Sequence, residues 1–163
     1  MAAVISVCQQ SGVGYSSTVV AKNEFYFLPI DSNVETSDDW PIPISPTSTV
    51  YSYEMWLFFR CDVAPNTKVY NFKIWTSGSL PTGNNITVNT SDIWTYQDPV
   101  NTKSTAGTRD NLINYTSSNK LNISGELTKV GDKTAYIVLQ LEVSPSASSG
   151  TNSQTIYYSY DEI

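Results

Sequence analysis

The sequence predicts an all-β protein, a two-sheet antiparallel β-sandwich, with the jelly roll as one form it can take. Three observations lead there. Apolar side chains alternate with a period of two through segments 51–61, 68–76 and 135–143. Charged residues are only 15% of the chain, and Ser, Thr, Asn and 11 Tyr take their place, a composition of strands and turns. No segment sustains a helical repeat. The chain has 163 residues, which fits a single domain over 1–163 with a core large enough to need no disulfide.

Weaker strand signals open the chain at 3–8 and 17–28, where Phe25-Tyr26-Phe27-Leu28 forms a dense apolar block ended by Pro29. From Ile30 to Ser48 there are four acids, three prolines and no period, which reads as a long surface loop. In the strand at 51–61, Tyr51, Tyr53, Met55, Leu57, Phe59 and Cys61 form one wholly apolar face. These are expected to lie between the sheets with Ile137, Leu139 and Leu141. The opposite set is mixed: Glu54 and Arg60 are expected in water, with Trp56 and Phe58 beside them.

The linker Asp62–Thr67 contains Pro65 and Asn66, as a hairpin or an inter-sheet corner requires. The strand at 68–76 points Tyr70, Phe72 and Ile74 one way and Asn71 and Lys73 the other. Further strands are expected at 85–89, 93–97 and 121–127, and one helical turn within 107–120. The strand at 135–143 follows the turn Val130-Gly131-Asp132-Lys133. The Ser-rich stretch 144–153 reads as a loop before a last strand at 155–163, with Ile156, Tyr158 and Tyr160 on one face.

Charge narrows the function. The net charge is −6, and the nine Lys and Arg are scattered, so the electrostatic term of a nucleic-acid surface is missing. No apolar run reaches the ~18 residues of a membrane helix. The N-terminus Met1-Ala2-Ala3-Val4 has no basic stretch before an apolar core, unlike a secretory signal. No partner of either class, nucleic acid or membrane, is expected.

Catalytic chemistry finds few residues to work with. His is absent, and with it the commonest general base and metal ligand. No GxSxG is present. Lys129 and Lys133 beside their turn read as solvated lysines. The acids Asp31, Glu35, Asp38, Asp39, Glu54 and Glu142 read as surface charges rather than a paired-carboxylate site. Asp31-Ser32-Asn33-Val34-Glu35 spaces oxygen ligands as a calcium loop does, but Thr36 stands where an EF-hand needs Gly and the closing Glu is missing. A plain acidic loop is the simpler reading. No cofactor, no metal and no enzymatic activity are expected.

Cys8 and Cys61 carry no CxxC spacing; buried thiols and a bridge between them are both open. Four Asn-x-Ser/Thr triplets, at Asn85, Asn89, Asn114 and Asn122, are what chance provides in so Asn-, Ser- and Thr-rich a chain. The remaining signal is aromatic: Trp40, Trp56, Trp75 and Trp94 with the tyrosines. Trp56, Phe58 and Trp75 lie on faces that the alternation turns away from the core, and they are the candidate interface. Three readings compete for them: burial on both sheet faces, an assembly interface, and a sugar-stacking platform.

The runs Tyr51-Ser52-Tyr53-Glu54-Met55-Trp56-Leu57-Phe58-Phe59-Arg60, Asn71-Phe72-Lys73-Ile74-Trp75, Tyr136-Ile137-Val138-Leu139-Gln140-Leu141 and Ile156-Tyr157-Tyr158-Ser159-Tyr160-Asp161-Glu162 resemble small all-β virion structural proteins of tailed phages and related archaeal viruses. The resemblance spans about residues 50–163 and carries over no individual site residue. It implies a non-catalytic capsid decoration, minor capsid or neck-tail component, assembled in a host cytoplasm and located in the virion. It further implies a homo-oligomer, a trimer if this is a decoration protein, bound to capsid or other virion proteins. The alternative is a β-sandwich carbohydrate-binding module using exposed aromatics.

Overall fold

The computed structural model describes residues 2–14, 17–32, 41–150 and 152–163. Along the described chain run β1 (Val4–Ser11), β2 (Thr18–Ala21), β3 (Val50–Tyr51), β4 (Met55–Val63), β5 (Val69–Thr76), β6 (Asn84–Asn89) and β7 (Arg109–Asn111). A 3-10 turn at Leu112–Asn114 follows, then β8 (Leu121–Ile123), β9 (Ile137–Val143) and β10 (Ile156–Glu162). They form two antiparallel sheets, a β-sandwich as the alternation predicts. The larger has seven strands in the order β2-β1-β4-β9-β6-β7, with β3 also paired to β9; the smaller has three, β10-β5-β8.

The core lies between the sheets. Met55, Leu57, Phe59 and Cys61 of β4, Ile137 and Leu139 of β9 and Ile86 and Val88 of β6 face Val69, Phe72 and Ile74 of β5 and Leu121 and Ile123 of β8. The rings of Phe59 and Phe72 stack across the interface with centroids 5.1 Å apart. Each such side chain contributes about 1.5–3 kcal/mol on full burial.

The strand expected at 51–61 is interrupted. Ser52 keeps its backbone bond to Leu141, but Tyr53 N–H donates to Leu28 O and Glu54 N–H to Val100 O. The chain steps out of the ladder between β3 and β4, so Tyr51 and Tyr53 are half-buried and outside the core cluster, and Leu141 only packs against it. Alternation marks two faces; it does not mark where a strand leaves its neighbour.

A second irregularity sits in β5. Asn71 has φ 57°, and the register with β10 shifts between Ser159 and Asp161. Two residues of β5 thus oppose one of β10, a β-bulge, and Asn is a residue type that tolerates this left-handed geometry. Val69 and Phe72, three apart, both face the core, and Tyr70 is turned outward rather than inward.

Linker 62–68 is the inter-sheet corner, not a hairpin: β4 and β5 belong to different sheets. Of the region expected as a strand at 17–28 only Thr18–Ala21 is one; Phe25, Phe27 and Leu28 reach the core without a ladder. No strand forms at 93–97. The strand expected at 121–127 ends at Ile123, because Gly125 brings the chain against the neighbouring segment: a Cβ there would stand 2.8 Å from Thr134 Cα. Leu127 returns to the small sheet by exchanging two 2.9 Å hydrogen bonds with Val69.

Cys8 and Cys61 are free and buried. Cys8 pairs across to Phe58 on one face of the large sheet, whereas Cys61 sits with Phe59 on the other, so the bridge is excluded by the sheet between them.

Candidate interaction surface

The two broad outer faces of the sandwich differ. On the large sheet, Cys8, Trp56, Phe58, Tyr136 and Val138 form an outward-facing apolar cluster, and segment 90–108 crosses over it like a strap, bringing Ala106, Ile93 and Tyr96 down onto the sheet. Trp56 is 0% exposed and makes edge contacts at 5.3 Å with both Tyr96 and Tyr136. Phe58 is 3% exposed and meets Tyr136 at 5.4 Å.

This corrects the candidate interface at two of its three positions. Trp56 and Phe58 are a second internal core, covered by the chain itself, and offer no surface to another molecule. Covering both faces of a central strand explains why β4 reads as nearly continuous apolar sequence.

The strap is held by polar pins. Ser104 N–H donates to Gln140 Oε1 at 2.8 Å, and Gln140 Nε2 donates to the carbonyls of Ser52 (2.9 Å) and Thr102 (2.8 Å). Glu54, expected in water, is buried: it accepts from Trp56 Nε1 at 3.1 Å and from Ser104 Oγ at 2.5 Å. Arg109 lies over the end of the β6–β9 ladder and donates to Val138 O (2.7 Å) and Thr87 O (3.0 Å). Burial pulls its guanidinium down to about 10, with Glu54 and then Glu142 opposing the shift. Asn89 completes the ladder by accepting from Val138 N at 2.6 Å and donating to Tyr136 O at 3.0 Å. Polar residues on the strand faces were the signal for this strap, since a buried Gln or Glu needs partners that a solvated face does not supply.

Trp75 is different. It is half-buried on the outer face of the small sheet, the side of the sandwich opposite the strap. Tyr157 of β10 pairs with it in register, and their rings stack at 5.7 Å and 16°. Lys120, next to β8, sets its ammonium 4.1 Å from the Trp75 ring centre. A row Tyr157–Trp75–Lys120 therefore spans all three strands. Lys73 points to the same side, between Ser159 and Asn122. Farther along, Tyr70 lies under Lys68 at 4.8 Å, and Asp161 accepts from Asn71 Nδ2 at 2.7 Å.

The other candidates settle individually. Lys133 donates to Tyr136 Oη at 2.9 Å, and Glu142 accepts from Asn85 at 3.1 Å. Asp31 accepts from Gly12 N–H at 3.0 Å; its carboxyl is pushed up chiefly by burial, with Asp98 adding. Trp40 and the rest of the calcium-like loop, Asn33 to Asp39, lie outside the described residues. Among the described residues no group of three or more metal-ligating side chains converges, and no helix is long and apolar enough to cross a membrane. The best-formed hollows, one beside Leu80 and Leu112 and one beside Asn89 and Tyr136, each enclose about 10 Å³, the room of one water. Comparison of the chain with protein-family models, with curated proteins and with solved structures finds no match.

Proposed function

We propose that the protein is a non-catalytic structural component of a virus particle, a capsid decoration or minor capsid protein that works by self-association and by binding the shell. The observation that carries this reading is the asymmetry of the two outer faces. One is sealed by the strap and fastened with buried polar bonds; the other keeps an ordered aromatic and cationic row open to solvent. A face so organised suits contact with a broad surface, and the best-formed hollows among the described residues have room for one water each. The resemblance of the strand sequences to small virion proteins points the same way.

The carbohydrate-module reading fares less well on the same residues. Sugar stacking needs a free aromatic face, and Trp75 has Tyr157 against one side and Lys120 against the other. The mass of the purified protein in solution tests the proposal. A closed homo-oligomer, a trimer in the decoration-protein case, is the expected result. A monomer at every concentration, or glycan binding abolished by Tyr157→Ala, would overturn it.

A further inference from the structure

We infer that the outer face of the small sheet is the basic half of a head-to-tail contact and that its occupant is the acidic surface of a second copy of this chain. The inference rests on the self-association proposed above and assigns it to residues.

Charge is the first argument. The chain carries nine Lys and Arg against fifteen Asp and Glu. Arg60 is paired with Asp62 and Lys68 with Glu126, each at 2.8 Å. Lys73 and Lys120, both on the outer face of the small sheet, have no carboxylate within salt-bridge distance among the described residues. The acids described on that face, Asp161 and Glu126, stand toward the end away from Trp75, engaged by Asn71 and Lys68. Two cations without a carboxylate partner thus share the Trp75 end of the face in a molecule whose net charge is −6. The surface most complementary to that face is the rest of another copy, and complementary potentials fix orientation and partner choice at such contacts.

Preorganisation is the second. Stacking between Tyr157 and Lys120 holds Trp75 in one position before any partner arrives, so little side-chain freedom remains to be lost on binding. Trp and Tyr are the residues enriched at interface centres, and the lysines beside them belong to a polar rim. Tyr157 stays 43% exposed.

Geometry is the third. A basic face and an acidic face are different patches, so the contact is heterologous. Heterologous contacts close into rings when the rotation between copies permits, which is how a trimer forms, and extend into filaments otherwise. The strap exposes Asp92 and Asp98, the latter accepting from Gly14 N–H, against one cation of its own, Lys103, and is held by internal bonds, so it can meet the basic face without rearranging.

Sedimentation velocity across a concentration and salt series, on the whole chain, tests this. The variants are Lys73→Glu, Lys120→Glu and, as a charge-matched control in the exposed turn 128–132, away from both faces, Lys129→Glu; circular dichroism confirms that each keeps the wild-type sheet signal. Self-association is expected to weaken at least tenfold in Lys73→Glu and Lys120→Glu, to change less than threefold in Lys129→Glu, and to weaken with salt as the Debye length shortens. Wild type that associates while all three variants behave alike overturns the assignment to this face and leaves self-association standing. Wild type that is monomeric throughout overturns both. Should Lys120→Glu lose its fold, Lys73→Glu, whose side chain stacks on no ring, decides alone.

Discussion

The side-chain oxygen of Gln140 accepts a hydrogen bond from the backbone N–H of Ser104 at 2.8 Å, joining the middle of β9 to the strap that covers it. Gln140 is 0% exposed, and its amide also serves the carbonyls of Ser52 and Thr102. One side chain thus satisfies backbone groups from two segments that have no ladder of their own there.

Replacing Gln140 with Leu, similar in bulk, strands those groups in the interior. Each unsatisfied buried group costs about 1–3 kcal/mol, so Gln140→Leu is expected to lose about 3–5 kcal/mol in urea denaturation. Protease cleavage within 91–108 is expected to accelerate before the rest of the chain is cut. A loss below about 1 kcal/mol would mean that strap and sheet do not depend on this residue.

Asn71 holds the bulge with a positive φ. Asn71→Val is expected to destabilise by about 1–3 kcal/mol, because a β-branched side chain opposes that backbone geometry. Asn71→Gly is expected to cost much less, since it relieves the backbone and gives up only the bond to Asp161. Equal losses for the two variants would refute the conformational explanation.

Acid stability follows from three carboxylates. Asp132 is held below the usual range by the Thr128 N–H first, then by the Lys129 N–H and the Thr128 hydroxyl. Asp62 is lowered by the Ser6 hydroxyl and then Arg60, and Asp110 by the Asn111 N–H, with Tyr115 and Asn114 adding. A folded pKa below the unfolded value of about 3.9 gives stability that is present above that pH and lost as pH falls through the folded value. Asp31 has the opposite sign, since protonation relieves its burial. Denaturation midpoints are therefore expected to hold near neutrality and fall below about pH 4, with a shallower fall in Asp132→Asn. An identical acid limb in wild type and Asp132→Asn would remove Asp132 from the account.

Tryptophan emission separates the covered side of the strap from its outer side. Trp56 is 0% exposed under the strap, and Trp94, on the strap itself, is 52% exposed. Trp94→Phe is expected to reduce the fraction of emission that acrylamide quenches, whereas Trp56→Phe is expected to raise it. Quenching that falls when Trp56 is replaced would place that ring in water and dissolve the second core.

The sandwich and most of its inner face were legible from alternation alone. Leu57, Phe59, Ile137 and Leu139 bury where the period of two puts them, because a sheet with one face on a core has no other way to divide its side chains. The bulge at Asn71 was not legible: one residue out of register flips Tyr70 outward, and the sequence marks it only by an Asn in mid-strand. The strap was missed for a different reason. Trp56 and Phe58 are turned away from the main core as the alternation requires, but which distant segment lies over them is a tertiary fact. Of the candidate site, only Trp75 stands on an open face, and its partners Tyr157 and Lys120 come from strands too far along the chain for local pattern to join them.

The pairing of β10 with β5 has a consequence for how the molecule is made. Thr76 Oγ1 bonds to Thr155 O, 79 residues further on, and the whole of β5 waits for that late strand on one side. Pairings this distant are slow, since the loop must close before any contact rewards it. While a ribosome is still adding residues 77 to 155, Phe72 and Ile74 sit beside a bare strand edge, the moment at which another nascent chain can take the place reserved for β10.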